Sequence, residues 1–73
     1  MILPNKEELA RLRETYPTGT RVELLAMDDP YAPPIGTQGT VYYVDDAGSI
    51  GVHWDNGSSL SVLYKMDSVR KLD

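Results

Sequence analysis

Short runs in which apolar and polar side chains alternate make up most of the chain, and turn-forming residues separate them. Such alternation is typical of β-strands that bury one face. Asn56-Gly57 is the strongest hairpin signal, because a tight turn of this kind needs positive φ, which Asn and Gly tolerate best. The alternating runs predict five short strands, over residues 20–27, 40–44, 49–54, 58–64 and 67–72.

The inward and outward positions of the second predicted strand can be assigned in two ways. Val41 and Val44 are three residues apart, so a regular pleat cannot turn both of them inward. Either Tyr43 is the second inward residue, or a β-bulge shifts the phase. We expect Val41 and Tyr43 to point inward and Tyr42 to point outward.

The N-terminal segment has the features of a helix. Asn5 is a good N-cap, Glu8 completes a capping-box pair, and Pro17 ends the element. This predicts an amphipathic helix over Pro4 to Thr15 that covers the open end of a barrel, or else docks onto another protein or a second copy. The apolar stripe consists of Leu9, Leu12 and Tyr16.

Length and composition favour a single mainly β domain over residues 1–73, with a helical segment at 1–16 and a small closed five-stranded barrel at 18–72. The chain has no cysteine, so neither a disulfide nor a thiolate metal site can stabilise it. No apolar run approaches the roughly 20 residues of a membrane span, and no signal peptide is evident at the start. We therefore expect a cytoplasmic protein without a membrane partner.

Charge is distributed unevenly. Eleven carboxylates against seven Lys and Arg give a net charge of −4, and no Lys or Arg lies between Arg21 and Lys65. An acidic central region favours a basic or neutral partner and argues against nucleic acid. Nucleic-acid binding stays open as an alternative if the two basic ends of the chain meet in space, bringing together Arg11, Arg13, Arg21, Lys65, Arg70 and Lys71.

Enzymatic chemistry has little support in the sequence. His53 is the only histidine and there is no cysteine, so no spacing assembles a nucleophile, a base and an orienting group. The pairs Asp28-Asp29 and Asp45-Asp46 lack the alternating spacing of a calcium loop and lie where Asp favours turns. We therefore expect no catalytic residues, no metal, no cofactor and no enzymatic activity.

Aromatic side chains on an acidic background are the strongest candidate for a binding surface. Exposed rings beside carboxylates suit a peptide that carries Lys or Arg, or an extended Pro-rich segment. The alternatives are that several of these rings are core residues, or that the chain associates with itself through the helix or an edge strand. The predicted partner-binding residues are Asp28, Asp29, Tyr31, Tyr42, Trp54, Asp55 and Tyr64.

Six short motifs lie between residues 16 and 58. They are Tyr16-Pro17-Thr18-Gly19, Arg21-Val22-Glu23-Leu24, Met27-Asp28-Asp29-Pro30, Gly36-Thr37-Gln38-Gly39-Thr40-Val41, Asp45-Asp46 and Val52-His53-Trp54-Asp55-Asn56-Gly57-Ser58. In combination they resemble the domain of unknown function 4314 family, whose pattern has a glycine-containing turn where this chain has Tyr64-Lys65-Met66. The resemblance implies a bacterial or phage protein without assigned activity or site residues. Two of the motifs also look like SH3-like barrels of the mind-bomb/HERC type, which bind proteins, and imply an SH3-like barrel here.

Overall fold

The computed structural model describes residues 2–72. This part of the chain contains one helix and a four-stranded antiparallel sheet. The strand order across the sheet is β3-β2-β1-β4, so the last strand returns to pair with the first. The elements are α1 (Lys6–Thr15), β1 (Arg21–Ala26), β2 (Gln38–Val44), β3 (Ile50–Trp54) and β4 (Ser68–Lys71).

The predicted closed barrel of five strands is wrong, because the sheet is open and has four strands. The segment expected to form another strand, residues 58–64, forms one isolated bridge with β3, between Ile50 and Val62, and no continuous ladder. Side chains take up some of its other backbone groups. The indole Nε1 of Trp54 donates to the Leu60 carbonyl at 2.9 Å, and the Leu60 amide donates to the Ser58 hydroxyl at 3.4 Å. A ladder needs those backbone groups, so it ends there.

The core lies on the inner face of the sheet. The alternation expected for β1 is confirmed at Val22 and Leu24, which are fully buried, whereas Ala26 is exposed. Each fully buried aliphatic side chain contributes about 1.5–3 kcal/mol to folding. The buried hydrophobic residues are Val22, Leu24, Val41, Ile50, Val52, Trp54 and Val62.

A bulge sets the phase of β2. The pairing of β2 with β3 shifts between Val41 and Tyr43, so the extra residue turns both tyrosines to the outer face. The expectation that Tyr43 points inward is therefore wrong, and the alternative, a bulge, is confirmed. The ring of Tyr43 lies over Gly51, where a side chain would collide with it, and its hydroxyl is 3.1 Å from that of Ser61.

The helix is capped as the sequence predicts. The Asn5 side chain accepts from the Glu8 amide at 2.9 Å, and the Glu8 carboxylate accepts from the Asn5 amide at 3.2 Å. No residue of the helix is buried. Arg13 ties it to the sheet by donating to Asp46 at 2.8 Å and to the Val44 carbonyl at 3.3 Å. Polar contacts at the surface therefore hold the helix on the sheet.

Candidate functional site

A recess of about 190 Å³ lies between the loop that follows β1 and the segment that precedes β4. Four aliphatic or thioether side chains and three carboxylates border it, and we call it the acidic groove. Its lining residues are Met27, Asp28, Asp29, Leu60, Ser61, Leu63, Met66 and Asp67.

Hydrogen bonds within the chain position the first wall of the acidic groove. The Leu24 amide donates to the Thr37 carbonyl at 2.9 Å, and the Gly36 amide donates to the Leu24 carbonyl at 2.8 Å, so the end of the loop is fixed to β1. Near the loop apex the Asp29 carboxylate accepts from the Tyr31 amide at 2.8 Å. These contacts order the loop, so a ligand that contacts it pays little additional conformational entropy.

A tight turn forms the second wall. The Asp67 carboxylate accepts from the Leu63 amide at 2.9 Å, and the Met66 amide donates to the Leu63 carbonyl at 3.2 Å. Lys65 has a φ of 57°, which is the left-handed conformation that Gly adopts most easily. The family pattern expected a glycine-containing turn at this place, and here Lys65 takes that geometry. The turn presents Leu63 and Met66 outward, with Met66 73% exposed.

The carboxylates of the acidic groove take part in no salt bridge of the described residues. Within residues 2–72, the salt bridges join Arg13 to Asp46, Arg21 to Asp55 and Arg70 to Glu23, and none of them involves a carboxylate of the groove. Asp28 and Asp29 are both exposed. The acidic groove therefore combines an apolar surface with a negative rim.

The predicted site residues of the first loop separate in space. Asp28 and Asp29 line the acidic groove. Tyr31 does not line it, although it belongs to the same loop, and its side chain is 83% exposed at the apex. The ring of Tyr31 therefore does not fold back over the edge of the core.

Three further predicted residues lie elsewhere. Trp54 is 3% exposed and belongs to the core, but it is alone in this among the four aromatic residues of the predicted site, so the alternative that several of these rings are core residues is wrong. Asp55 accepts two hydrogen bonds from the Arg21 guanidinium, at 2.9 and 2.6 Å, and these lower the pKa of its carboxyl. Tyr42 stacks on His53 on the outer face of the sheet, with ring centroids 3.8 Å apart.

Tyr64 connects the turn to the helix. Its hydroxyl donates to the Glu8 carboxylate, which lowers the pKa of Glu8 and raises that of Tyr64. The Lys65 ammonium lies 5.7 Å from the centre of the Tyr64 ring, within cation–π distance. Tyr64 therefore lies outside the acidic groove and holds α1 against the turn that forms its second wall.

Sequence reasoning missed the apolar half of the acidic groove, which Met27, Leu60, Leu63 and Met66 supply. Leu60 belongs to the segment predicted to be a strand, and it is half-buried at the groove. A signal was present at Leu63 and Met66, because these apolar residues do not fit the alternation of the predicted strands. Exposed apolar side chains that cluster indicate an interaction surface.

The groups considered for catalysis and metal binding are dispersed. Within residues 2–72, no three His, Cys, Asp or Glu side chains come together in a way that could hold a metal ion. The Asp45 carboxylate accepts from the Ala47 and Ser49 amides at 3.0 and 2.9 Å, which is the turn role predicted for it. None of the helices in the same range has the length and apolar character to cross a membrane.

The basic residues considered for nucleic-acid binding are partly engaged within the chain. Arg13, Arg21 and Arg70 each form a salt bridge with a carboxylate. Arg11 and Lys65 both lie near Glu8, where their charges lower its pKa. A phosphate backbone would have to displace three exposed internal pairs to reach all six predicted residues.

A comparison with protein families matches residues 5–72 to the family described as a domain of unknown function, DUF4314. The match covers almost the whole chain, so the protein belongs to this family and the resemblance seen in its motifs is confirmed. Neither the curated proteins nor the solved structures contain a significant match to the chain.

Proposed function

We propose that this member of the DUF4314 family is a non-enzymatic binding module whose acidic groove holds a peptide segment of a partner protein. The segment carries at least one Lys or Arg beside aliphatic side chains. The observation that supports the proposal is the composition of the acidic groove, in which Leu63 and Met66 lie beside Asp28 and Asp29, and the salt bridges of residues 2–72 include neither carboxylate.

Two contributions favour such a ligand. Burying an aliphatic side chain on Leu60, Leu63 and Met66 stabilises the complex by about 25 cal/mol for each Å² removed from water. A Lys or Arg near Asp28 and Asp29 adds about 0.2–1 kcal/mol for each exposed charge pair. The small size of the acidic groove makes a weak, rapidly reversible complex the expectation.

The two methionines of the acidic groove favour tolerance toward the shape of the ligand. Met27 and Met66 have unbranched, polarisable side chains that adapt to different apolar surfaces. The Asp29 carboxylate is held in place by the hydrogen bond from the Tyr31 amide, and a fixed negative charge of this kind selects for positive charge. We therefore expect the module to bind segments that all carry a positive charge but differ in the shape of their aliphatic side chains.

Selection from a random peptide library tests this proposal. The immobilised protein should enrich peptides with Lys or Arg next to Leu, Ile, Val or Met, and binding should weaken as salt rises. The double variant Asp28→Asn/Asp29→Asn should lose the preference for basic residues. Enrichment of acidic peptides, or no enrichment at all, would remove the proposal.

A matched control separates the acidic groove from the general negative charge of the protein. The double variant Glu7→Gln/Glu14→Gln also removes two exposed carboxylates, both outside the groove and neither in a salt bridge within residues 2–72. It should select the same peptides as the unmodified protein. Equal losses in the two double variants would mean that net charge, rather than the acidic groove, drives capture. Self-association, the remaining alternative, would instead appear as a molecular mass that rises with protein concentration.

A further inference from the structure

Met66 occupies a position shared by two neighbouring recesses. It lines the acidic groove, and together with Leu63 it also lines a smaller apolar recess of about 80 Å³ on the other side of the turn. Its side chain is 73% exposed, more than any other methionine among the described residues. The smaller recess is formed by Ile2, Leu3, Ala47, Ser49, Leu63, Tyr64 and Met66.

The exposed thioether is open to chemical modification. In the reaction with hydrogen peroxide, one peroxide oxygen is transferred to the sulfur, which loses two electrons, and the remaining oxygen leaves as water. The product, methionine sulfoxide, replaces a flexible apolar group with a polar one and is reversed by methionine sulfoxide reductases. At Met66 the new S=O group would stand within the apolar part of the acidic groove.

Met27 provides an internal comparison. It also lines the acidic groove, but it is half-buried and packs against the hydrophobic core. Because peroxide must reach the sulfur, access favours Met66 over Met27. The two methionines therefore differ in exposure while sharing one groove.

We propose that Met66 is an oxidation site at which a peroxide switches off peptide binding by the acidic groove. The inference rests on the proposed function, since the switch acts on that same groove. Sulfoxide formation removes the apolar contact that Met66 gives to the ligand, and reduction restores it. Oxidation does not change which peptides the acidic groove recognises. It changes only the fraction of protein molecules that can bind them.

The accessibility of Met66 is measured directly. The full chain is treated with hydrogen peroxide for increasing times and digested, and sulfoxide at each methionine is quantified by mass spectrometry. Met66 should oxidise at least about threefold faster than Met27. Equal rates at the two positions would overturn the assignment of Met66 as the preferred site. Circular dichroism before and after treatment checks that the fold persists.

The binding consequence is measured with a synthetic peptide taken from the library selection. Oxidation should weaken binding by about tenfold in the unmodified protein, and sulfoxide reductase should restore it. The Met66→Leu variant keeps Met1 and Met27 and should bind equally well before and after peroxide. If the reduced protein binds no peptide, the proposed function and the switch both fail. If the oxidised protein binds as well as the reduced one, the switch alone fails.

Discussion

On the outer face of the sheet the charged side chains pair with one another, whereas in the acidic groove they face solvent. Arg21 binds Asp55, and Arg70 binds Glu23 at 2.7 Å. The acidic groove has carboxylates of the same kind, yet no cation of residues 2–72 forms a salt bridge with them. Each region combines carboxylates with aromatic or aliphatic side chains. Amino-acid composition alone therefore does not distinguish the two regions.

The difference determines which region is available to a partner. A ligand that approached Asp55 would first have to displace the Arg21 guanidinium and lose two charge-assisted hydrogen bonds. A cation that approaches Asp28 displaces only water. Changes in the sheet should therefore alter stability, and changes in the acidic groove should alter binding.

Gly39→Ala should have the largest effect, and on stability. A Cβ at this strand position would lie 2.5 Å from a Val52 methyl group and 2.9 Å from the His53 carbonyl oxygen. Overpacking of this kind costs about 1–3 kcal/mol or more, which urea denaturation measures.

Gly51→Ala is the matched strand control for Gly39→Ala. The atoms in its way belong to the Tyr43 ring, whose side chain is partly exposed and able to turn aside. The loss of unfolding free energy should therefore be smaller. Equal losses in the two glycine variants would contradict the packing described for Gly39.

Asp28→Asn/Asp29→Asn should have the next largest effect, and on binding alone. The variant removes two charges from the rim of the acidic groove and should weaken binding of a selected peptide by about tenfold. Because Asn tolerates the same turn geometry, the melting temperature should hardly change. Titration calorimetry and thermal denaturation measure the two quantities. A lower melting temperature with unchanged affinity would assign these residues to folding.

Asp55→Asn should change the pH dependence of stability without changing peptide binding. Hydrogen bonds from Arg21 lower the pKa of Asp55 in the folded state. The resulting stabilisation is complete above the ordinary pKa of about 3.9, and it is lost as the pH falls through the lowered native value. The variant should therefore melt at a lower temperature at pH 7 and lose less on acidification. Parallel melting curves of the two proteins from pH 7 to pH 2 would contradict the pairing.

Tyr31→Ala should have the smallest effect. The ring is exposed at the loop apex and does not line the acidic groove, so peptide affinity should fall by no more than about threefold. Stability should not change, because the ring is absent from the core. A complete loss of binding, as the sequence alone suggested, would place the site at the loop apex.

Local sequence rules predicted much of the fold. The capping box at Asn5 and Glu8 and the burial of Val22 and Leu24 in β1 depend on neighbours along the chain, and both formed as expected. Such features can be predicted because their partners lie within a few residues. The same holds for the Asp45 turn, whose hydrogen bonds reach no further than Ser49.

Two features outside the regular strand pattern explain what could not be predicted. The strand predicted over residues 58–64 does not form, because the Trp54 indole donates a hydrogen bond to the Leu60 carbonyl. The alternation of residues does not reveal this hydrogen bond. Of the residues that line the acidic groove, the sequence predicted Asp28 and Asp29. It did not predict the apolar wall, which depends on the left-handed backbone conformation of Lys65. Lysine is an uncommon residue at positive φ, so the sequence alone did not indicate that turn.

The most direct test of the binding account is a nuclear magnetic resonance titration of the isotope-labelled protein with one selected basic, aliphatic peptide. We expect amide shifts to concentrate at residues 27–29 and 60–67, on the two walls of the acidic groove. Residues 38–42 and 51–55, which include the outer face of the sheet, should stay unchanged. Shifts concentrated on the sheet instead would contradict the proposal that the acidic groove is the binding site.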